Sequence, residues 1–302
     1  MMTILWLICA VFMFKERTSR WLFQFFAAFF VFVSGVSLPV AVCAAESSDD
    51  QLAPEPLTSE ETEYWAKKKA ELDLDPDIVN ARRAAAKLPA LKMQVVRVAP
   101  GMIPAKGGLA AGFIALTIDD GPTATNSKMI LKTLNDYGVN ATFFHIGSRV
   151  EKNPLLSKLV MDQGQIVGSH TMHHAYLNKL SEKDAEKEIL TGHAAVNQAC
   201  GKVFPFFRFP YGESTPELLD FIKAQNLTAF SWNMCAYDWK FEEEYYGEDL
   251  RRLYAGIVKE IDREGRGIIL MHDRTCTALV LPDILDYLKI KKITLVQFLP
   301  VE

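Results

Sequence analysis

Four polar clusters carry the residue types that can hold a metal ion and move protons. Asp119 and Asp120 are adjacent and close the apolar run Ala115-Leu116-Thr117-Ile118, just before Gly121-Pro122. Two neighbouring carboxylates repel unless a cation or a proton is shared between them. His170 and His174 stand at i and i+4, which puts both imidazoles on one face if the segment turns helically, a spacing suited to a single metal. With Asp120 they form a two-imidazole, one-carboxylate set that leaves coordination positions open for water or substrate. Arg208, in Arg-Phe-Pro-Tyr-Gly, can grip a carboxylate bidentately, and the turn after it can aim a backbone N–H inward, as an oxyanion site requires. His272, in Leu-Met-His-Asp, is placed to protonate a leaving group. Taken singly, each cluster reads equally well as a cap or a surface turn. Together, at the ends of apolar runs, they argue for one site.

The elements that must position them alternate regularly from about Gly112 onward. Strand-like runs are expected at Phe113–Ile118, Ala141–His145, Gln165–Ser169, Phe204–Phe209, Thr228–Trp232, Gly267–Met271 and Ile293–Phe298. Helical patterns separate them at Asn126–Tyr137, Pro154–Gln163, Ser181–Ala199, Thr215–Gln225, Asp249–Glu264 and Pro282–Leu288. Such alternation implies an α/β protein with a parallel sheet under covering helices, either a barrel or a doubly wound sheet. In a barrel, functional residues gather at the carboxyl ends of the strands, and the clusters above meet that condition. His145 reads as a rim or core residue, His173 as a supporting one, and His193 as a surface residue of a helix.

The first 45 residues combine apolar runs, an intervening charged stretch (Lys15 to Arg20) and a small-residue exit at Ala44-Ala45. This matches a secretory signal peptide, or else an uncleaved membrane anchor. Either way the remainder is expected outside the cytoplasm, periplasmic or secreted, with membrane contact only through this segment. Residues 46–111 read as an acidic linker followed by a helical extension: a helix start at Thr58, helical patterning to Leu72, a break at Pro76 and a second helix from Asp77 to Leu88. Arg82 and Arg83 are expected on a solvated helix face, and Pro100, Pro104, Gly107 and Gly108 mark a loop into a main domain at 112–302. A net charge of −4 offers no basic field for nucleic acid. The five cysteines include no Cys-x-x-Cys pair, so no zinc ribbon is implied. A Cys235–Cys276 bridge is conceivable in an exported protein.

The ordered set Thr-x-Asp-Asp-Gly-Pro, His-Thr-x-x-His, Arg-x-Pro-Tyr-Gly, Asp-Trp and Leu-x-His-Asp resembles the polysaccharide deacetylases with a NodB-homology domain, carbohydrate esterase family 4. The resemblance runs from about Gly112 to the C-terminus. It implies a distorted (β/α) barrel of seven or eight parallel strands, and removal of N-acetyl groups from peptidoglycan, chitin and related polysaccharides. It also implies a divalent metal, commonly zinc with cobalt as a substitute, on Asp120, His170 and His174. By the same resemblance Asp119 is the general base, held by Arg208. The Tyr211 backbone N–H serves the oxyanion, His272 is the general acid, and Leu270 and Trp239 wall the acetyl pocket.

The sequence departs from the family pattern at one position. Where the family has Asp-x-x-Asp-Trp, this chain has Cys235-Ala236-Tyr237-Asp238-Trp239. If the first Asp tunes the acid histidine, its replacement by a neutral thiol lowers the His272 pKa and moves the activity optimum toward acid. Peptidoglycan is the expected substrate and a chitin-like oligosaccharide the alternative. Two rivals stand beside them: a hydrolase of small amides on the same scaffold, and a carbohydrate-binding protein that kept the barrel and lost the chemistry.

Overall fold

The structure, a computed structural model of the 302-residue chain, describes residues 76–201, 204–241 and 247–301, together with Thr58, Ser59 and Glu63. The leader, the acidic linker and nearly all of the first helical pattern lie outside the described residues. No helix among the described residues is long and apolar enough to cross a membrane.

Ten strands form one sheet, and every pairing in it is parallel. In chain order they are β1 Lys92–Val98, β2 Gly101–Ile103, β3 Phe113–Gly121, β4 Thr142–His145, β5 Ile166–Ser169, β6 Phe206–Phe207, β7 Thr228–Phe230, β8 Met234–Cys235, β9 Gly267–His272 and β10 Thr294–Pro300. The curved wall runs β8-β9-β3-β4-β5-β6-β7-β2, while β10 and β1 branch from the start of β3. β7 and β8 are consecutive in the chain, yet each pairs elsewhere, which is the distortion of the barrel. The expected strand runs are all present. β1 and β2 arise where the sequence reads as loop and helical extension, so the sheet reaches back into the 46–111 segment. Their short, half-exposed patterns carry too little alternation to be legible as strands.

The helices are α1 Pro76–Ala85, α2 Asn126–Tyr137, α3 Gly147–Lys152, α4 Pro154–Asp162, α5 Glu182–Cys200, α6 Pro216–Ala224, α7 Gly247–Glu264 and α8 Thr275–Ile290. α2 stops because Gly138 adopts a left-handed φ of 63° and its N–H caps Asn135 and Leu134, a conformation that a residue without Cβ enters freely. α8 differs from expectation. Pro282, read as a helix start, lies inside the helix, where the Tyr137 hydroxyl donates to its carbonyl at 3.1 Å.

The strand period of two explains the core. One face of β3 and β9 (Ile114, Leu116, Ile118, Ile269, Met271) packs under α2, α7 and α8. The other face points into the barrel. There Ala115, Phe144, Phe206, Phe230, Ile268, Val296 and Phe298 form an apolar floor, with the Phe206–Phe230 and Phe230–Phe298 rings edge to face at 4.8 and 5.3 Å. Continuing along this inward face toward the carboxyl ends, the same period brings up Thr117, Asp119, Leu270, His272 and Arg208.

α1 packs on α8. Arg82, expected on a solvated face, instead forms an ion pair with the buried carboxylate of Asp283, its Nη2 at 2.9 Å from Oδ2. Removing one partner of such a pair strands a buried charge. Arg82→Met should therefore lower unfolding stability by about 3 kcal/mol, read from the shift of the urea denaturation midpoint at constant m-value.

Candidate active site

The adjacent carboxylates reach one cleft because β3 carries a bulge. Asp119 lies opposite Phe144 of β4, but the next β4 residue, His145, faces Gly121 rather than Asp120. The extra residue, Asp120, has a left-handed φ of 68°. Neighbours on a regular strand point to opposite faces; a bulge re-aims one of them, and both Asp119 and Asp120 line the cleft.

Arg208 fixes Asp119. Its guanidinium is fully buried and donates from Nη1 to Asp119 Oδ1 at 2.8 Å and to Thr117 Oγ1 at 2.7 Å. Nε and Nη2 turn to the carbonyls of Phe230 and Ser231 at 3.3 and 3.4 Å, and the guanidinium lies 4.4 Å from the Phe144 ring centroid. The expected bidentate grip is thus a single-nitrogen contact, with Nε and Nη2 turned to the carbonyls at and just after the end of β7.

Asp120, His170 and His174 come together as the spacing suggests, though not on a helical turn. The segment after β5 is a loop in which Thr171 and His174 have φ of 63° and 57°. The His170 and His174 rings stand 4.8 Å apart, and one ligand atom from each of the three residues lies within 4.8 Å of the others. His174 Nε2 is 3.3 Å and His170 Nε2 3.7 Å from Asp120 Oδ1. That oxygen is buried and has no hydrogen-bond partner, an uncompensated acceptor of the kind a cation satisfies. Paired with the Arg208 carbonyl at 2.8 Å, His170 Nδ1 is the N–H donor, which leaves Nε2 with its lone pair toward Asp120.

The charges suit the same role. Burial pushes the Asp120 carboxyl up, but His170, His272, His174 and Arg149 together hold it below the ordinary range. Burial and then His170 draw the His174 pKa down, against the pull of Asp120 and Asp119, which favours the neutral imidazole that ligates. These three residues fit a divalent ion.

His272 is the register neighbour of Asp119 across β9 and β3. Here the structure corrects the expectation drawn from Cys235. Asp238, not residue 235, is the partner of His272: its Oδ1 is 2.7 Å from His272 Nδ1, and its Oδ2 accepts from the His272 N–H and from Thr277 Oγ1. The left-handed Tyr237, φ 55°, turns the chain so that Asp238 is buried beneath His272. Burial alone would lower the His272 pKa, but Asp238, Asp119 and Asp120 raise it above its ordinary value. The replaced position is remote in role. Cys235 pairs with Leu270, and burial pushes its thiol up to about 12, so it stays neutral. Cys200, Cys235 and Cys276 are buried, and the Cys235–Cys276 bridge is not formed.

The cleft encloses about 480 Å³. Leu270 and Trp239 line it as expected, Trp239 with its edge to His272 at 5.0 Å. Tyr211 has φ 61°, and its ring stacks on Tyr176 at 3.6 Å. Tyr176, Phe209, Trp232 and Arg274 complete the lining, and sequence reasoning missed all four. Trp232 had a signal, since it ends an expected strand; in the structure it packs on the earlier Gly212 (φ 71°), where a Cβ would lie 2.5 Å from its ring. Of the remaining histidines, His145 is fully buried, bonds Ser157 through Nδ1 at 2.7 Å, and is held neutral by burial, with a pKa of about 3. His173 pairs with Glu188 outside the cleft. His193 is half-buried rather than on the surface.

Comparison with known proteins agrees with this geometry. A family model described as polysaccharide deacetylase matches residues 106–230. A chitooligosaccharide deacetylase of Bradyrhizobium is 33% identical over 172 residues, covering 54% of this chain and 75% of that protein. The chain belongs to the polysaccharide deacetylase family. A peptidoglycan-N-acetylglucosamine deacetylase of Bacillus cereus is 35% identical over 127 residues, 42% of this chain; the match spans only 46% of that relative's length. Among solved structures, the peptidoglycan deacetylase of Bdellovibrio bacteriovorus superposes with a TM-score of 0.65 at 27% identity, covering 82% of this chain and 72% of that one. In this chain Asp120, His170 and His174 gather beside the register neighbours Asp119 and His272.

Two outcomes follow from the geometry. His174→Ala should weaken zinc binding by at least about 100-fold, beyond what losing a mere supporting partner costs, as measured by calorimetric titration of the metal-stripped protein. An acid histidine works while protonated, so activity falls as pH rises through its pKa. Asp238→Asn removes the charge that raises that pKa and should move the alkaline limb of the kcat/KM profile to lower pH; Cys235→Asp should leave that limb nearly in place.

Proposed function

We propose that this protein is a metal-dependent N-deacetylase that releases acetate from N-acetylated amino sugars of an extracytoplasmic polysaccharide. Peptidoglycan is the favoured substrate and zinc the favoured metal. The observation that carries the reading is a single cleft in which a two-imidazole, one-carboxylate donor set adjoins an anchored carboxylate and a carboxylate-backed histidine. A divalent ion on Asp120, His170 and His174 would supply Lewis acidity to the amide carbonyl and to water.

The protein's own residues divide the remaining work. Asp119, immobilised by Arg208, takes the proton of the attacking water. The Tyr211 N–H, presented by the left-handed turn, is assigned to the developing oxyanion. His272, its pKa raised by Asp238, gives its proton to the departing amine, and Asp238 holds the ring for that transfer. Leu270 and Trp239 face the acetyl methyl, while the exposed rings of Tyr211 and Tyr176 offer a flat surface to the sugar.

The substrate assignment is supported by the named activity of the Bacillus cereus and Bdellovibrio proteins, and the leader-like pattern of residues 1–45 supports a periplasmic or secreted location. A chitin-like oligosaccharide is the second reading, favoured by the Bradyrhizobium relative. The binding-protein rival had rested on Cys235, and Asp238 removes that support. With zinc or cobalt restored after chelation, acetate release from N-acetylglucosamine oligomers or peptidoglycan is expected, and Asp119→Asn should reduce it about 100-fold or more. Absence of release from both polymers by the metal-loaded protein would overturn the proposal.

A further inference from the structure

We propose that Arg274 recognises a carboxylate carried by the glycan on the sugar next to the one that reacts, so that the cleft selects an acidic amino-sugar polymer over a neutral one. The inference rests on the deacetylase reading and narrows its substrate class to glycan strands whose lactyl carboxylates are free of peptide.

Three residues lead from β9 into α8, and they alternate in direction. His272 faces the cleft. Asp273 is buried and accepts from the Thr123 N–H and hydroxyl at 3.1 and 2.9 Å and from Ser127. Arg274 returns to the cleft wall. It precedes the first turn of α8 without a side-chain capping bond, and among the described residues its guanidinium has neither an ion-pair nor a hydrogen-bond partner. Half-buried, it carries five donors in a fixed fork with no acceptor supplied by the fold.

The other charges of the cleft are committed. Arg208 is committed to Asp119, Thr117 and two carbonyls. Asp119 answers Arg208, and Asp120 faces the two imidazoles. No further acidic side chain lines the cleft among the described residues. The fold thus leaves the Arg274 donors to water or to a ligand, and the guanidinium fork matches a ligand carboxylate in two parallel bonds. The exposed rim adds positive charge. Lys179 and Lys240 sit 4.1 and 4.5 Å over the rings of Tyr176 and Tyr237, so the aromatic surfaces open to sugar rings are flanked by cations.

The test compares kcat/KM of the zinc-loaded full chain on three soluble four-sugar substrates. One alternates N-acetylglucosamine with N-acetylmuramic acid bearing free lactyl carboxylates. The second is its methyl ester, and the third is the neutral N-acetylglucosamine tetramer. The parent protein should favour the free acid over its ester by about tenfold or more, the worth of a charge-assisted pair, chiefly through KM. In Arg274→Ala that ratio should fall to about one, and Arg274→Lys should recover part of it. Equal rates on acid and ester in the parent protein, or an unchanged ratio in Arg274→Ala, would overturn the inference while leaving the deacetylase reading intact. No acetate from any of the three would remove both.

Discussion

A guanidinium with no solvent exposure governs this site. Taking Arg208 out of water is costly, and only a full set of acceptors makes its burial tolerable. Asp119, Thr117, the carbonyls of Phe230 and Ser231, and the Phe144 ring provide that set. The acceptors come from different strands, so the charge ties β3, β6 and the end of β7 together at one level of the barrel. Below that level the interior is aromatic and dry; above it the cleft opens. The ion pair is the partition between a core and a reaction vessel.

The same residue sets the second half of the chemistry through its backbone. The Arg208 carbonyl accepts from His170 Nδ1, while its N–H donates to Ser169 at 3.0 Å. A single residue just after β6 therefore holds both the candidate base and the tautomer of a candidate metal ligand. Displacing that backbone would disturb both together, and such coupling suits groups that must meet one substrate atom within fractions of an ångström. Asp238 plays the matching part on the other wall, with one oxygen on the His272 ring and the other on its N–H and on Thr277.

Much of this was legible in the sequence because strand ends are easy to see and carboxylates and imidazoles are conspicuous there. Asp119, Asp120, His170, His174 and His272 line the cleft at or just after the runs that announced them, with Arg208 buried behind Asp119. What was not legible depends on loop geometry rather than residue type. The helical-turn argument for His170 and His174 gave the right pair through a wrong conformation. The role of Asp238 was hidden because spacing along Cys-Ala-Tyr-Asp-Trp does not say which carboxylate the left-handed Tyr237 turns inward. Tyr176 and Arg274 sit in stretches whose local pattern resembles any polar turn. β1 escaped notice because it is an exposed edge, and α8 was misplaced because a proline was read as a boundary.

The backbone around the cleft also records how the site trades durability for use. Asp120, Thr171, His174 and Tyr211 all adopt left-handed φ values, a conformation that costs a residue with a Cβ roughly 1 kcal/mol relative to the right-handed helix. Glycine would sit there more comfortably, yet three of the four positions need a side chain that glycine lacks: two metal-type ligands and the tyrosine platform. The chain thus maintains a local conflict between folding and chemistry. In a lineage released from its substrate, drift should relax these positions toward glycine or asparagine before it touches the barrel floor. Loss of function would then be written first in the turns, while the fold persisted beneath them.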